Sequence, residues 1–316
     1  MEKLRRRLGR TDLEVFPLNL GGNVFGWTAD REASFAVLDA WVAAGGNFVD
    51  TADVYSKWAP GHSGGESEEM LGAWLRARPG VEMIVATKVG MGGPGYEAGL
   101  SARQIRTACE GSLRRLGVER IDLYYAHLDD PKTPLEESLR AFDELVREGK
   151  VRWIGASNYT APRLREALDT SARLGLARFE VMQPKYNLLA RDAFEGELAA
   201  ICAEEGLGVC TYHALAAGVL TGKYDPDQPP QGARAKAVAN YLAHPRARAV
   251  LQALREVAAR HGATPAQVAI AWLLGRPGVT APIASATSPA QLEEQLGALR
   301  LRLDPADLAA LDAASA

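Results

Sequence analysis

The chain has 316 residues, 36 basic against 39 acidic side chains, a formal charge of −3 and 47% apolar residues. The charge balance excludes the strongly basic footprint of a nucleic-acid binder, and the apolar content is ample for a large core rather than a disordered chain. No apolar run reaches the roughly 18 residues of a membrane span, the basic start Met1-Glu2-Lys3-Leu4-Arg5-Arg6-Arg7-Leu8 lacks the apolar stretch of a secretory leader, and the scattered Cys109, Cys202 and Cys210 point to a reducing, cytoplasmic setting.

In chain order, residues 5–8 and 13–16 flank Gly9-Arg10-Thr11-Asp12 and predict a hairpin. Eight apolar runs follow as strand candidates, at 18–21, 47–51, 83–88, 121–127, 151–157, 179–183, 208–212 and 280–286. Helical patterns lie between them. One carries Phe35, Leu38 and Val42 and stops at Gly45-Gly46. The next opens on Ser101 with Gln104 three residues on, a capping box. Others run from Leu135 to Gly149 and over about 160–174, 193–205, 246–261 and 264–275. Thr264-Pro265-Ala266-Gln267 and Ser288-Pro289-Ala290-Gln291 both read as helix starts, and Asp304-Pro305 opens a last helix.

Strands alternating with helices predict an α/β chain, a (β/α)8 barrel with an N-terminal β-hairpin, forming a single domain over 1–316. A doubly wound sheet is the competing fold, but G-x-G-x-x-G is missing from the first strand–helix turn. The stretch 221–244, with Pro226, Pro229, Pro230 and Gly232, reads as one long irregular loop on the barrel face where active sites lie.

At that face the strand ends carry chemistry. The second strand ends in Asp50 with Tyr55 just beyond, the third in Lys88, and the fourth in His127. Period-2 alternation puts Phe48 with Asp50, Ala86 with Lys88, and Tyr125 with His127, so an Asp50–Lys88 pair across adjacent strands is expected. From position alone, a structural ion pair with a satisfied core histidine fits equally well.

These four residues resemble the catalytic tetrad of the aldo-keto reductases. The likeness continues through Gly46-Asn47-Phe48-Val49-Asp50-Thr51-Ala52-Asp53-Val54-Tyr55, Gly64-Gly65-Glu66-Ser67-Glu68, Gly149-Lys150-Val151-Arg152-Trp153-Ile154-Gly155-Ala156-Ser157-Asn158, Gln183-Pro184-Lys185-Tyr186-Asn187 and Gly218-Val219-Leu220-Thr221-Gly222-Lys223-Tyr224. It spans about residues 4–300 and is strongest to bacterial reductases akin to potassium-channel β-subunits. It implies reduction of aldehydes and ketones by hydride from NADPH, with NADH possible. Tyr55 is then the general acid, its pKa lowered by Lys88; Asp50 holds the ammonium and His127 orients the carbonyl. A sensor of the channel β-subunit type, binding cofactor with little turnover, is the alternative. A Schiff-base role for Lys88 is a third, disfavoured because Asp50 would keep the ammonium charged.

The resemblance also implies cofactor contacts. Gly21, Gly22 and Asn23 lie near the ribose and nicotinamide. Asp50 is also among the cofactor contacts, Ser157, Asn158 and Gln183 hold the carboxamide, and Tyr212 stacks on the ring. Leu215, Gly218 and Lys223 cover the pyrophosphate. Ser285, Thr287, Gln291, Glu294 and Gln295 lie at the adenosine end, where the helix start favours phosphate. Three positions depart from the family pattern. His213-Ala214 replaces Ser-Pro after Tyr212, Ser285 replaces glycine, and Thr287 stands where an arginine often grips the 2′-phosphate. Phe25, Trp27 and Trp58 are expected to line an open pocket for apolar or aromatic carbonyls. No metal, nucleic-acid or membrane partner is expected.

Overall fold

A computed structural model describes residues 4–316. Met1, Glu2 and Lys3, part of the N-terminal stretch read against a leader, lie outside it. Arg6–Arg7 (β1) and Glu14–Val15 (β2) pair antiparallel as the predicted hairpin. Gly9 turns it at a φ of 57°, pressed so close to Gly208 that a Cβ would meet that residue's backbone nitrogen at 2.2 Å.

Eight parallel strands follow: Asn19–Gly21 (β3), Phe48–Asp50 (β4), Ile84–Val89 (β5), Ile121–Ala126 (β6), Val151–Ser157 (β7), Phe179–Gln183 (β8), Gly208–Val209 (β9) and Ile283–Ala284 (β10). They stand side by side in the order β10-β3-β4-β5-β6-β7-β8-β9. The ends of that row meet through Thr280 N–H donating to the Val209 carbonyl at 2.9 Å and Ile283 N–H to the Thr211 carbonyl at 2.8 Å. The sheet therefore closes as the expected (β/α)8 barrel.

The helices are Arg31–Ala43 (α1), Glu66–Ala77 (α2), Ala102–Leu116 (α3), Leu135–Arg147 (α4), Ala161–Leu174 (α5), Glu197–Glu204 (α6), Ala235–Leu242 (α7), Ala247–His261 (α8), Pro265–Leu274 (α9), Pro289–Leu296 (α10) and Pro305–Ser315 (α11). Capping boxes form at Ser101/Gln104 and Thr264/Gln267, whereas Ser288 caps α10 without the reciprocal bond, because Gln291 Oε1 accepts from Thr287 instead. Two helices were not predicted. α2 starts after Gly65 in the left-handed region with no side-chain cap, and its buried face opens with Ser67 and Glu68 rather than apolar residues. α7 occupies part of 221–244, so that stretch is not one irregular loop.

The core has two layers. Leu8, Leu13 and Val15 of the hairpin close one barrel end and pack with Phe48, Ala86, Leu123, Tyr125, Val181 and Ala281 inside the barrel. Trp41, Trp74 and Trp272 are fully buried in the larger layer formed with the helices. Among the described residues no helix is long and apolar enough to cross a membrane.

Candidate active site

The alternation of β4 and β5 sends Phe48 and Ala86 inward, so Asp50 and Lys88 continue the same faces to the opposite end of the barrel from the hairpin. Both are buried, and the Lys88 ammonium lies 2.6 Å from Asp50 Oδ2. It donates also to the Tyr55 hydroxyl and to the Thr51 carbonyl, each at 2.8 Å. Three N–H groups thus meet three acceptors, which a buried ammonium requires. Tyr55 O–H donates to Asp50 Oδ2 at 3.2 Å, and Gln183 Nε2 donates to Asp50 Oδ1 at 2.8 Å.

His127 follows β6, with its ring centre 6.0 Å from that of Tyr55. Burial, reinforced by the nearby Lys88 charge, pushes its pKa well below the usual histidine value, so the imidazole is neutral. Its Nδ1 is buried and has no partner among the described residues. Tyr55 departs from the sequence expectation. Burial, followed by the Asp50 carboxylate, raises the phenol well above 10. Burial dominates that shift, and Asp50 Oδ2, which touches both the phenol and the ammonium, adds to it. Burial also lowers the Lys88 pKa, with Asp50 opposing.

Beside this cluster, Ser157, Asn158, Gln183 and Tyr212 are hydrogen-bonded into one chain. Tyr212 O–H donates to Asn158 Oδ1 at 2.7 Å, Asn158 Nδ2 to Ser157 Oγ at 3.2 Å and to the His127 carbonyl at 2.8 Å, and Ser157 O–H to the Gln183 carbonyl at 2.9 Å. Asn158 holds a φ of 58°, a strained conformation for a side-chain-bearing residue. A second group joins β3 to β10, where Ser285 O–H donates to Asn23 Oδ1 at 2.5 Å. Ser285 lies so close to Gly21 that a Cβ there would meet its Oγ at 2.4 Å, while the Gly22 N–H donates to the Asp50 carbonyl at 2.7 Å. Leu215, Gly218 and Lys223 lie along the 3-10 turn Ala216–Thr221 and just beside it, with φ values of 57° and 97° at Ala217 and Gly218. At the α10 start, Thr287 donates from both its amide and its hydroxyl to Gln291 Oε1, each at 3.0 Å.

The aldo/keto reductase family profile matches residues 17–316. The chain belongs to the aldo/keto reductase family. Similar proteins include a "Probable voltage-gated potassium channel subunit beta" from Oryza sativa subsp. japonica, 36% identical over 93% of this chain and 90% of the rice protein. An "Uncharacterized oxidoreductase" of Bacillus subtilis (strain 168) is 35% identical over 94% and 91%, respectively. A "NADH-specific methylglyoxal reductase" of Escherichia coli (strain K12) is 32% identical over 95% and 94%.

In this aldo/keto reductase the remaining predicted site residues separate into two sets. Trp27 and Trp58 meet edge to face at 5.4 Å between ring centres, and Trp58 stands 5.9 Å from Tyr55, so an aromatic wall borders Tyr55. Phe25 does not share it. Tight backbone turns, with Phe25 N–H donating to the Gly22 carbonyl, fold it inward, and it is fully buried in the core. Gln295 is likewise buried and donates to the Ser285 carbonyl at 2.9 Å, holding the loop instead of lining an open groove. Glu294 is half-buried, and its carbonyl accepts from Gln267.

Two contributors escaped the sequence reading. The Thr51 carbonyl is the third acceptor of Lys88; an ammonium has three N–H groups, and Asp50 with Tyr55 accounted for two. Asp53 is buried, accepts from Tyr96 O–H at 2.6 Å and leaves Oδ1 without a partner, and burial pushes its carboxyl up to about 7.

Proposed function

We propose that this chain is a carbonyl reductase, one catalytic domain over 1–316, that converts aldehydes and ketones to alcohols with NADPH and, more weakly, NADH. The observation that carries the reading is the buried Lys88 ammonium bonded at once to Asp50 and to the Tyr55 hydroxyl, with neutral His127 beside them. A mere structural pair would not need a phenol as third member at the mouth of the barrel.

A reduced nicotinamide, when bound, supplies the hydride. The donor set suits its carboxamide, since Asn158, Gln183 and Ser157 offer amide and hydroxyl groups of both senses beside the Tyr212 ring. Lys223 and the start of α10 offer positive charge for phosphates. Tyr55 then gives its proton to the carbonyl oxygen. Neutral His127 holds that oxygen toward Tyr55, and Lys88 stabilises the charge growing on it. Asp50 keeps Lys88 in place. Trp27 and Trp58 favour flat, apolar carbonyls. Three free, buried cysteines accord with a cytoplasmic protein.

A cofactor-consumption screen over a panel of aldehydes and ketones, with NADPH and NADH in parallel, tests this reading. Turnover of 4-nitrobenzaldehyde is expected. The sensor reading, favoured by the channel-subunit names among the relatives, predicts cofactor binding with negligible turnover.

A further inference from the structure

Asp50 and Lys88 face into the barrel, so their chain neighbours Thr51 and Thr87 face out, toward the helices. Both threonine hydroxyls meet the first turn of α2. Ser67 O–H donates to the Gly22 carbonyl at 2.7 Å, and the Thr51 and Ser67 hydroxyl oxygens are 2.7 Å apart. Each hydroxyl has one hydrogen. Ser67 uses its hydrogen on Gly22, so Thr51 must be the donor to Ser67. On the next residue, Glu68 Oε1 accepts from Thr87 O–H at 2.5 Å and Oε2 accepts from Arg115 Nε of α3 at 2.7 Å. Thr51, Ser67, Glu68 and Thr87 are all fully buried.

This arrangement ends on the reacting groups. The Thr51 carbonyl takes the third N–H of Lys88, and the Gly22 N–H holds the Asp50 carbonyl. The turn that catches Thr51 and Thr87 therefore grips the residue after Asp50 and the residue before Lys88 from outside the barrel. Helix packing alone would not need two adjacent buried polar residues on this face, and an apolar pair would avoid their desolvation.

We propose that the first turn of α2 is an external brace for the Asp50–Lys88 pair, with Ser67 and Glu68 as positioning residues. Ser67 fixes the direction of the Thr51 carbonyl, and Glu68, anchored by Arg115, fixes β5 at Thr87. The effect on turnover rests on the reading of Tyr55 as acid; the effect on Lys88 does not.

The test compares wild type with Ser67→Ala, Thr51→Val, Thr87→Val and Thr87→Ser. The Lys88 titration is followed by NMR of ¹³Cε-labelled lysine, assigned with Lys88→Arg, and needs no turnover. In Ser67→Ala and Thr51→Val the Lys88 midpoint falls by about half a unit to one unit, because its ammonium loses an aligned acceptor. Single-turnover reduction of 4-nitrobenzaldehyde slows about 10-fold or more, from misalignment away from the chemistry, with cofactor affinity held within a few-fold. Thr87→Val behaves in the same way, and Thr87→Ser, which keeps the hydroxyl, stays near wild type. Variants that fold and melt lower, yet keep the Lys88 midpoint and the rate, would reduce the brace to ordinary packing and overturn the proposal. A wild type without turnover whose Lys88 midpoint still moves in Ser67→Ala would support the brace and remove the reductase reading.

Discussion

Replacing Thr287 with arginine should convert a weak preference for NADPH into a strong one. Ser285, Thr287 and Ser288 bring three hydroxyls to this helix start, but Ser285 donates to Asn23 and Thr287 donates twice to Gln291. Only Ser288, which accepts from the Gln291 amide as the α10 cap, keeps its hydroxyl hydrogen uncommitted. Wild type therefore has little directed at the phosphate besides the helix start. An arginine can form a bidentate, charge-assisted grip, worth about 1.5–3 kcal/mol in general. Thr287 is only half-buried, so solvent screening favours the lower end, and NADPH should tighten by roughly 10-fold at about 1.4 kcal/mol per decade. NADH, which lacks the phosphate, should change little. The lost Thr287 hydroxyl bond to Gln291 is near the surface and should cost stability little. Tryptophan fluorescence quenching, titrated with both cofactors in both proteins, measures this. Equal tightening of NADH and NADPH would refute the placement of residue 287 at the 2′ position.

The two directions should respond to pH differently. Tyr55 holds its proton well above 10, so aldehyde reduction should stay level from about pH 6 to 9, while alcohol oxidation, which needs the tyrosinate, climbs over the same range. A reduction rate that fell with a midpoint near neutrality, also in an Asp53→Asn background, would contradict this. Asp53→Asn should also raise the melting temperature at about pH 8. The Asp53 carboxyl is raised in the fold to about 7, so its stability contribution is full below the unfolded value and is lost as pH rises through 7. Differential scanning calorimetry should show the gain narrowing toward about pH 4; a gain independent of pH would show that the buried charge is not its source. Gly155→Ala should lower stability by about 1–3 kcal/mol, since its Cβ would meet the Tyr125 ring at 2.6 Å. Urea denaturation within about 0.5 kcal/mol of wild type would show that the ring moves aside freely.

Much of this was legible from residue order. Strand-end position in a barrel placed Asp50, Lys88 and His127 at the mouth, and alternation put each on the same face as its neighbour two residues back. β7 and β8 match their predicted spans, whereas β9 and β10 shorten to two residues each. Between Val209 and Tyr212 the ladder gives way to an isolated bridge of Lys185 with Tyr212, which a continuous apolar run does not reveal. Phe25 escaped because a tight turn, not strand or helix period, sets its direction. The Tyr55 pKa went the wrong way because sequence counts the Lys88 charge but not the burial that outweighs it. Helix α2 escaped because the residues that dock it first, Ser67 and Glu68, are polar and find their partners on other elements.

The most direct test is Tyr55→Phe, read by stopped-flow single turnover of 4-nitrobenzaldehyde with NADPH, beside a cofactor titration. Cofactor affinity should stay within a few-fold of wild type and the hydride-transfer rate should fall by about 10²–10⁴-fold, the usual loss for one acid–base group. The phenyl ring keeps its place beside Trp58 and His127, so the loss would belong to the hydroxyl. A variant that reduces the aldehyde within a few-fold of wild type would show that the proton comes from elsewhere.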